Sequence, residues 1–394
     1  MKKRWSVLAL VLCIAVSAAG CGSAPKGEEG QGKTAAVNKT NGEENENQSK
    51  LDVLQPIAYG NVQGLTLEAG STISIIGRGK SSAYWTEVKK GAQQAVDDIN
   101  TMLDYKGNDK IKLTYSAPET SDDVDDQVNI LDEELARYPA ALGIAAVDSG
   151  ACEVQFDLAA ENDIPIVAFD SGTDYQNIVS MIDTDNREAA QTAANRLCDS
   201  IEDKGEILLF AHDTSSTSAK EREEGFVNTI AEKHPEVTVS EIYHLDELEK
   251  LQEEMTKTDE ETEEPKEEEA EEAEKPAITQ EEAVAYILEK HPDVKGIYTT
   301  NETAAKLVTS TLEKQEKDTV KVVSFDGGKE QLKLLKDGKL EGLIVQNPYG
   351  IGYATVVAAA RAVLGQGNEA EVNTGYTWVT RDNLEDEAIQ KMMY

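Results

Sequence analysis

The sequence predicts an α/β protein in which two doubly wound parallel sheets form two lobes. From residue 71 onward, short apolar runs rich in Val and Ile alternate with amphipathic stretches of helical period. Hydrophobic residues make up 39% of the chain but aromatic residues only 5%, which suits an α/β protein better than an all-β one. Near-continuous apolar strands alternating with helices indicate parallel sheets that are covered on both faces.

The first set of elements covers residues 71–169. Its predicted strands are 71–76, 111–115, 141–147 and 164–169, and its predicted helices are 84–101, 123–137 and 152–162. The first helix shows the pattern well, because Trp85, Val88, Ala92 and Ile99 recur at helical spacing. This alternation predicts one complete lobe.

A second set begins near Ile178 and repeats the pattern. Its predicted strands are 178–182, 207–210, 237–243, 294–298, 320–325 and 343–345, and its predicted helices are 187–201, 220–233, 280–290, 303–313 and 329–336. A second run of alternating strands and helices predicts a second lobe.

The N-terminus has the features of a bacterial export signal. Residues 1–4 are cationic, residues 5–16 are apolar but too short for an ordinary membrane span, and small residues precede Cys21. This arrangement resembles the lipobox of lipoproteins, although Ala18 stands where leucine is usual. The resemblance implies a signal peptide over 1–20 and a lipid anchor on Cys21. The alternative is an ordinary cleaved signal with an unmodified cysteine.

Two polar segments interrupt the regular pattern. Residues 21–64 are rich in Gly, Asn, Gln, Glu and Lys, and predict a flexible tether between the anchor and the lobes. Residues 246–276 contain sixteen acidic residues and four lysines, a net charge of -12. This stretch predicts a solvated, partly helical acidic insertion in the second lobe.

Charge and cysteine usage exclude several classes of function. The formal net charge of -37 opposes nucleic-acid binding, because phosphates would be repelled. Cys152 and Cys198 lie on separate predicted helices and are expected to be buried, unpaired small residues. With no C-x-x-C motif and only four histidines, we expect no metal site and no cofactor.

Three polar residues directly follow predicted strands in the second lobe. Asn301, Asp326 and Gln346 each come after an apolar, β-rich run. In an open α/β sheet, residues just past the carboxyl ends of the strands face the ligand crevice. A carboxylate and two amides meeting there suit a neutral, hydroxyl-rich molecule. Because no general base, nucleophile or metal cluster accompanies them, the pattern predicts a binding protein and not an enzyme.

From residue 71 to the end, the chain resembles the ribose-binding-protein-like branch of the type I periplasmic binding proteins, the sugar receptors of ABC transporters. The segments that carry this resemblance are 84–93, 162–167, 222–226, 291–302, 324–327 and 346–352. The resemblance implies two lobes joined by three crossovers that close on the ligand like a hinge. It places one lobe at 65–175 plus 347–373, and the other at 176–346 plus 374–394.

The resemblance also implies most of a binding site. Tyr84 and Trp85 match the family's aromatic pair, and Ser82 matches a polar position just before it. Among strand-end residues, Asp170 is expected to bind the ligand, whereas Asp148 could bind it or cap a helix. The resemblance maps Asn301, Asp326 and Gln346 onto family binding positions, and Phe325 would add an apolar wall.

Two departures from the family pattern alter the expected polar network. Ser171 and Lys220 stand where the ribose receptors carry arginines, and an ammonium does not replace a guanidinium fork. Ribose itself is therefore in question. Arg222 is expected to form a structural salt bridge, although it could compensate for Lys220. Arg78 and Lys80 could favour an acidic or phosphorylated sugar, the alternative being a solvated loop.

The predicted function is capture of a sugar-like solute by a monomeric, membrane-anchored protein that delivers it to an ABC importer. The alternative is a receptor that presents a furanose, nucleoside or polyol to a sensor kinase or chemoreceptor. Residues 77–81 also suggest a phosphate-binding loop, but Ser74 stands where that motif needs glycine. A repressor of the same fold would need a helix-turn-helix before residue 71.

Overall fold

The structure is a computed structural model that describes residues 47–80, 82–262 and 277–394. The predicted signal peptide, Cys21, most of the predicted tether and the second half of the acidic insertion lie outside the described residues. Among the residues described, no helix has both the length and the apolar character needed to cross a bilayer.

The described residues form two α/β lobes. The strands are β1 (Thr72–Ile76), β2 (Lys112–Ser116), β3 (Ala141–Ile144), β4 (Ile166–Phe169), β5 (Ser180–Asp183), β6 (Gly205–Ala211), β7 (Val237–His244), β8 (Val294–Thr299), β9 (Lys321–Phe325), β10 (Gly342–Gln346), β11 (Glu371–Asn373) and β12 (Tyr376–Val379). The helices are α1 (Gln48–Asp52), α2 (Ala83–Met102), α3 (Val124–Leu135), α4 (Glu153–Glu161), α5 (Asn186–Ser200), α6 (Thr217–Lys233), α7 (Leu248–Thr262), α8 (Gln280–Lys290), α9 (Glu302–Lys314), α10 (Lys329–Lys336), α11 (Pro348–Val363) and α12 (Glu387–Gln390).

Each lobe is built on one six-stranded sheet. The strand order is β2-β1-β3-β4-β5-β11 in the first lobe and β7-β6-β8-β9-β10-β12 in the second. Neighbouring strands run parallel except β10 and β12, which pair antiparallel. The fold class predicted from the sequence is therefore confirmed. We call the two units lobe one and lobe two, in chain order.

The chain passes between the sheets three times. The first passage follows β5 and not Tyr175 as the sequence predicted, because β5 extends the first sheet by pairing with β4 (Val167 with Ser180). The chain returns at Asn347, where α11 packs against α2. A Cβ on Gly91 would lie 2.0 Å from the Tyr349 carbonyl oxygen, so these helices meet backbone to backbone. It crosses again between β11 and β12.

The predicted tether extends too far, since its last third is packed on lobe one. Leu51, Leu54 and Tyr59 are buried in the core of that lobe. Gln55 exchanges backbone hydrogen bonds with Asn373, at N–O distances of 2.8 and 3.1 Å. The overall composition of the segment is polar, but these few apolar side chains are spaced so that they can be buried together.

The described half of the acidic insertion is helical. A 3-10 turn (Leu245–Glu247) leads into α7, and Leu248, Leu251 and Met255 pack against the core of lobe two. Their spacing of three and four residues puts them on one face of the helix. The acidic residues between them occupy the remaining faces, so this half of the insertion is attached to the lobe and not free of it.

Candidate ligand-binding site

A cavity of about 570 Å³ lies between the carboxyl ends of the two sheets. It is larger than the depression of about 350 Å³ on lobe one near Ile164. Seven of the predicted site residues line the cavity. Four belong to lobe one, namely Ser82, Tyr84, Trp85 and Asp170, and three belong to lobe two, namely Asn301, Asp326 and Gln346. Residues of both lobes therefore face a single space of the size that small-molecule sites usually have.

The polar floor of lobe two is organised around Asp326, which follows β9. One carboxylate oxygen accepts a hydrogen bond from Gln346 Nε2 at 2.7 Å, and the other accepts one from the Glu302 backbone N–H at 3.1 Å. The side-chain Oδ1 of Asn301 accepts a hydrogen bond from the Ala304 N–H at 2.9 Å and caps α9. The amide nitrogen is therefore the polar atom that Asn301 can offer a ligand.

The counterpart on lobe one is Asp170, which follows β4. The Tyr84 hydroxyl donates a hydrogen bond to its Oδ1. Burial raises the pKa of Asp170, although this bond and the charges of Arg222 and Arg78 oppose the shift. Burial and the neighbouring Asp170 hold the pKa of Tyr84 well above its usual range, so its phenol stays protonated.

The aromatic wall of the cavity comes from both lobes. On lobe one, Tyr84 meets Trp85 edge to face with ring centroids 5.1 Å apart. From lobe two, Tyr394 meets Tyr84 edge to face at 5.8 Å. The Tyr394 hydroxyl accepts a hydrogen bond from the Gly327 N–H at 3.0 Å, which holds its ring beside Asp326. Sequence reasoning missed Tyr394, because no local pattern places it near the strand ends.

Asp170 and Asp326 have the same unusual backbone conformation. Their φ angles are 57° and 76°, in the left-handed region that residues other than glycine rarely adopt. Each lies immediately after a strand, one in each lobe. The fold therefore points two carboxylates into one cavity from equivalent positions at the cost of local backbone strain.

The cation on the lobe-two side of the cavity is Arg222 and not Lys220. Lys220 is exposed and lies outside the cavity lining, whereas Arg222 is buried and lines the cavity. The Arg222 guanidinium lies 4.1 Å from the centre of the Phe325 ring. It also donates to Asn186 Oδ1 and to the Thr300 carbonyl oxygen, both at 2.8 Å. Phe325 itself is fully buried, and its ring packs against the Arg222 guanidinium.

Two further predicted residues have structural roles outside the cavity lining. Asp148 Oδ1 accepts hydrogen bonds from the Gly150 and Ala151 N–H groups, both at 2.9 Å, and so closes a turn before α4. Ser171 is fully buried, and its hydroxyl donates to the Ala146 carbonyl oxygen at 2.6 Å. Both residues lie in loops after strands of lobe one, but neither is part of the cavity lining.

The lobes touch each other across the cavity through an ion pair. Arg78 Nη2 of lobe one lies 3.0 Å from Asp213 Oδ2 of lobe two, while Arg78 Nε lies 2.7 Å from Asp122 of its own lobe. Nearby, the Thr217 N–H of lobe two donates to the Ser171 carbonyl oxygen of lobe one at 3.1 Å. The structure is thus a closed form. Asp213 lies two residues past the end of β6, so a search of the strand ends could have found it.

Charge in the cavity is predominantly negative. Burial would raise the pKa of Asp213, but the charge of Arg78 and the hydrogen bond from the Ser216 N–H outweigh burial and hold it low. Burial lowers the pKa of His212 to about 3, so its imidazole is neutral. Arg78 is shared between two carboxylates, and Lys80 pairs with Glu119 outside the lining. Neither of these cations is positioned to favour an acidic sugar.

One group of potential metal ligands occurs among the described residues, but it lies outside the cavity lining. It consists of Cys198, Asp203 and His234 in lobe two. The two ring nitrogens of His234 already lie 2.7 Å from Asp203 Oδ1 and 3.1 Å from Asn195 Oδ1. Burial raises the pKa of the Cys198 thiol to about 12, which disfavours the thiolate that a metal requires.

Comparisons with known proteins agree with this geometry. A profile for the periplasmic binding protein domain matches residues 73–367. The ribose import binding protein RbsB of Escherichia coli (strain K12) is 23% identical over 306 residues, which cover 77% of this chain and 88% of RbsB. RbsB of Bacillus subtilis (strain 168) is 21% identical, over 61% of this chain and 68% of its own.

Solved structures show the same fold. A carbohydrate transporter solute-binding protein from Agrobacterium radiobacter, in complex with D-arabinose, has a TM-score of 0.67 and 26% identity over 84% of this chain and 100% of its own. An ABC transporter solute-binding protein from Agrobacterium vitis, bound with α-D-tagatopyranose, has a TM-score of 0.68 and 24% identity over 82% of this chain and 99% of its own. With the domain match covering three quarters of its length, the chain belongs to the periplasmic binding protein family, in its ribose-binding-like type I branch.

Proposed function

We propose that this protein captures a neutral sugar between its two lobes and passes it to the permease of an ABC importer. The observation that supports this most directly is that Asp170 of lobe one and Asp326 of lobe two line the same cavity. Ionised carboxylates accept strong hydrogen bonds from hydroxyl groups. A polyhydroxylated ligand that contacts both carboxylates gains contacts only when the lobes are closed, and so it favours the closed form.

The aromatic wall and the charge balance support the same class of ligand. Tyr84, Trp85 and Tyr394 offer ring surfaces on which the C–H faces of a sugar can pack. Two arginines line the cavity, and Arg78 is already paired with carboxylates of both lobes. Six carboxylates line the same cavity, so a phosphorylated or carboxylated sugar would meet net repulsion there. The family is one of solute-binding proteins and not a class of enzymes, and the relatives described above are named for sugars or bind them.

A thermal-shift screen with neutral pentoses, neutral hexoses and matched uronic acids tests the ligand class. A ligand at about 100 times its Kd adds about 2.7 kcal/mol to the free energy of unfolding, which raises Tm by several degrees. We expect neutral sugars to give this shift and uronic acids to give none. Asp326→Ala should abolish it. A screen in which no neutral sugar stabilises the protein, or in which Asp326→Ala keeps the full shift, would overturn the proposal.

The same proposal includes attachment to the extracytoplasmic face of the membrane through a lipidated Cys21. Such an anchor would keep the captured sugar close to the permease. Intact-mass measurement of the membrane-extracted protein checks it, because acylation adds the mass of the lipid to a chain that begins at Cys21. Cys21→Ser should release the protein from the membrane fraction. Retention of that variant on the membrane would argue against the anchor.

A further inference from the structure

The lining of the cavity includes the segments that follow the edge strands β2 and β7, and we call this end of the cavity its mouth. Val124 of lobe one and Leu245 and Leu307 of lobe two all line it, and each is partly exposed. We propose that this mouth is a second subsite, which takes an uncharged ring joined by a glycosidic bond to the sugar held by Asp170 and Asp326. This inference rests on the proposed function and specifies its ligand as a glycoside, either a disaccharide or a nucleoside.

The aliphatic groups come from both sides of the mouth. Val124 is the first residue of α3 in lobe one, Leu307 lies on α9, and Leu245 begins the long connection between β7 and α8. Partly exposed aliphatic surface at the edge of a polar cavity has no role in holding the hydroxyls of one sugar ring. A second ring would cover it, and burial of apolar surface favours binding. Because both lobes contribute, this burial occurs only in the closed form.

The lobe-two wall of the mouth is fixed before any ligand arrives. Asp246 Oδ2 accepts hydrogen bonds from Thr214, from its N–H at 2.9 Å and from its hydroxyl at 2.7 Å. Gln280 donates to the Leu245 carbonyl oxygen and accepts from the Tyr243 hydroxyl at 3.2 Å. A wall held in this way loses little conformational freedom on binding, which favours affinity.

Charge at the mouth restricts the second ring to uncharged groups. The carboxylates of Asp122, Asp246 and Glu302 line this region. Arg78 already contacts Asp122, and Lys306 Nζ lies 3.8 Å from Glu302. A phosphate on the second ring would therefore meet carboxylates whose neighbouring cations are already paired. The geometry suits an uncharged second ring and opposes one that carries a phosphate.

Asp246 gives the acidic insertion a direct part in this subsite. It is the first residue of the insertion and comes directly after Leu245, and α7 follows with Leu248 and Leu251 packed on the core of lobe two. The described part of the insertion is thus attached to lobe two immediately after the residue that it contributes to the wall.

Isothermal titration with matched pairs tests the inference. The probes are D-ribose with adenosine, and D-galactose with lactose and with lactose 1-phosphate, in which the phosphate is on the second ring. We expect one glycoside to bind at least about tenfold more tightly than its own monosaccharide, since about 1.4 kcal/mol corresponds to a factor of ten, and lactose 1-phosphate to bind weakly. Adenosine and lactose distinguish the two sources of the second ring. If glycosides bind no better than their monosaccharides, the second subsite is refuted while sugar capture stands. If no sugar binds, the proposed function itself fails.

Two filling substitutions provide an independent check. Leu307→Trp narrows the mouth from lobe two and Val124→Trp narrows it from lobe one. Each should weaken the glycoside at least about tenfold and leave the monosaccharide within about twofold. Leu158→Trp, on an exposed face of α4 that is 45% exposed, is the matched control and should change neither affinity. Equal losses for glycoside and monosaccharide in both folded variants, or no loss in either, would overturn the inference.

Discussion

The ion pair between Arg78 and Asp213 should contribute to ligand affinity by stabilising the closed form. Opening the lobes separates Arg78 from Asp213, whereas Arg78 keeps Asp122, which belongs to the same lobe. Only contacts that differ between the open and closed forms shift the equilibrium between them. We therefore expect Asp213→Asn to weaken binding without unfolding either lobe.

The structure also indicates why asparagine is the appropriate replacement. Asp213 Oδ1 accepts from the Ser215 and Ser216 N–H groups at 3.1 and 2.7 Å, and the Asn carbonyl oxygen can keep these bonds. The Asn amide group then faces the guanidinium in place of Oδ2. Both side chains of the pair are largely buried, at 9% and 12% exposed. Truncating one partner of such a pair costs from about 2 kcal/mol of binding free energy upward. Because Arg78 keeps Asp122, we expect Asp213→Asn to cost about 1.5–3 kcal/mol of binding free energy. This corresponds to about a 10- to 150-fold higher Kd.

Titration calorimetry with the sugar found by thermal shift measures the change, and small-angle scattering of the ligand-free protein measures the degree of closure. Glu87→Gln is the matched control, because Lys50 and Glu87 form an ion pair of similar burial, 3.3 Å apart, inside lobe one. It should lower Tm and leave Kd unchanged. If Asp213→Asn binds within about twofold of wild type and its ligand-free scattering is unchanged, the ion pair does not control closure.

Three further predictions concern packing, thiol chemistry and pH. Gly91→Ala should destabilise lobe one by about 1–3 kcal/mol, read as a lower Tm, because its Cβ would meet the backbone of α11. Cys152 and Cys198 should resist iodoacetamide at about pH 8 until the protein is denatured, since burial raises the pKa of their thiols to about 11 and about 12. The hydrogen bond to Glu223 raises the pKa of His244, so its stabilising effect is full below about pH 6.5 and lost as pH rises through the raised value. The Tm of His244→Gln should therefore fall less than the Tm of wild type between about pH 6 and about pH 9. An equal fall in Tm would contradict the stabilising role of the His244–Glu223 hydrogen bond.

The residues that sequence reasoning placed well lie at the carboxyl ends of strands. Asp170 and Asp326 come directly after β4 and β9, Asn301 lies two residues past β8, Gln346 is the last residue of β10, and all four line the cavity. The carboxyl ends of parallel strands meet at one edge of a sheet, so chain position alone brings such residues together. Asp148 shows the limit of this rule. The sequence placed it directly after a strand, but β3 ends four residues before it, and nearby N–H groups engage its carboxylate in a turn.

Residues on helices were less predictable than residues at strand ends. Lys220 and Arg222 are two positions apart on α6, and side chains with that spacing do not share a helix face. A shift of two residues in matching the family pattern therefore exchanges a buried cation for an exposed one. The sequence predicted a structural salt bridge for Arg222, but its contacts within the described part of the chain are an amide oxygen, a backbone carbonyl oxygen and an aromatic ring.

Contacts between distant parts of the chain left no local signal. Tyr394 reaches the cavity only because the end of lobe two folds back over Gly327. The segment around Leu51 and Leu54 was predicted as tether because its average composition is polar. Burial depends instead on a few apolar side chains that meet a complementary surface. In both cases the determining contact joins residues far apart in the chain, 67 positions in the case of Gly327 and Tyr394.

The paired conformation of Asp170 and Asp326 connects the fold to its proposed use. A non-glycine residue in the left-handed region costs on the order of 1 kcal/mol or more, and these two have φ of 57° and 76°. Glycine would remove that cost at either position but would also remove the carboxylate. Since each aspartate ends a buried strand, its side chain is held in place by the sheet on one side and by Tyr84 or Gln346 on the other. Two such rigid acceptors, one on each lobe, can be bridged by one ligand only at a single degree of closure. Selectivity for the sugar and recognition of the closed lobes by a permease would then depend on the same geometry.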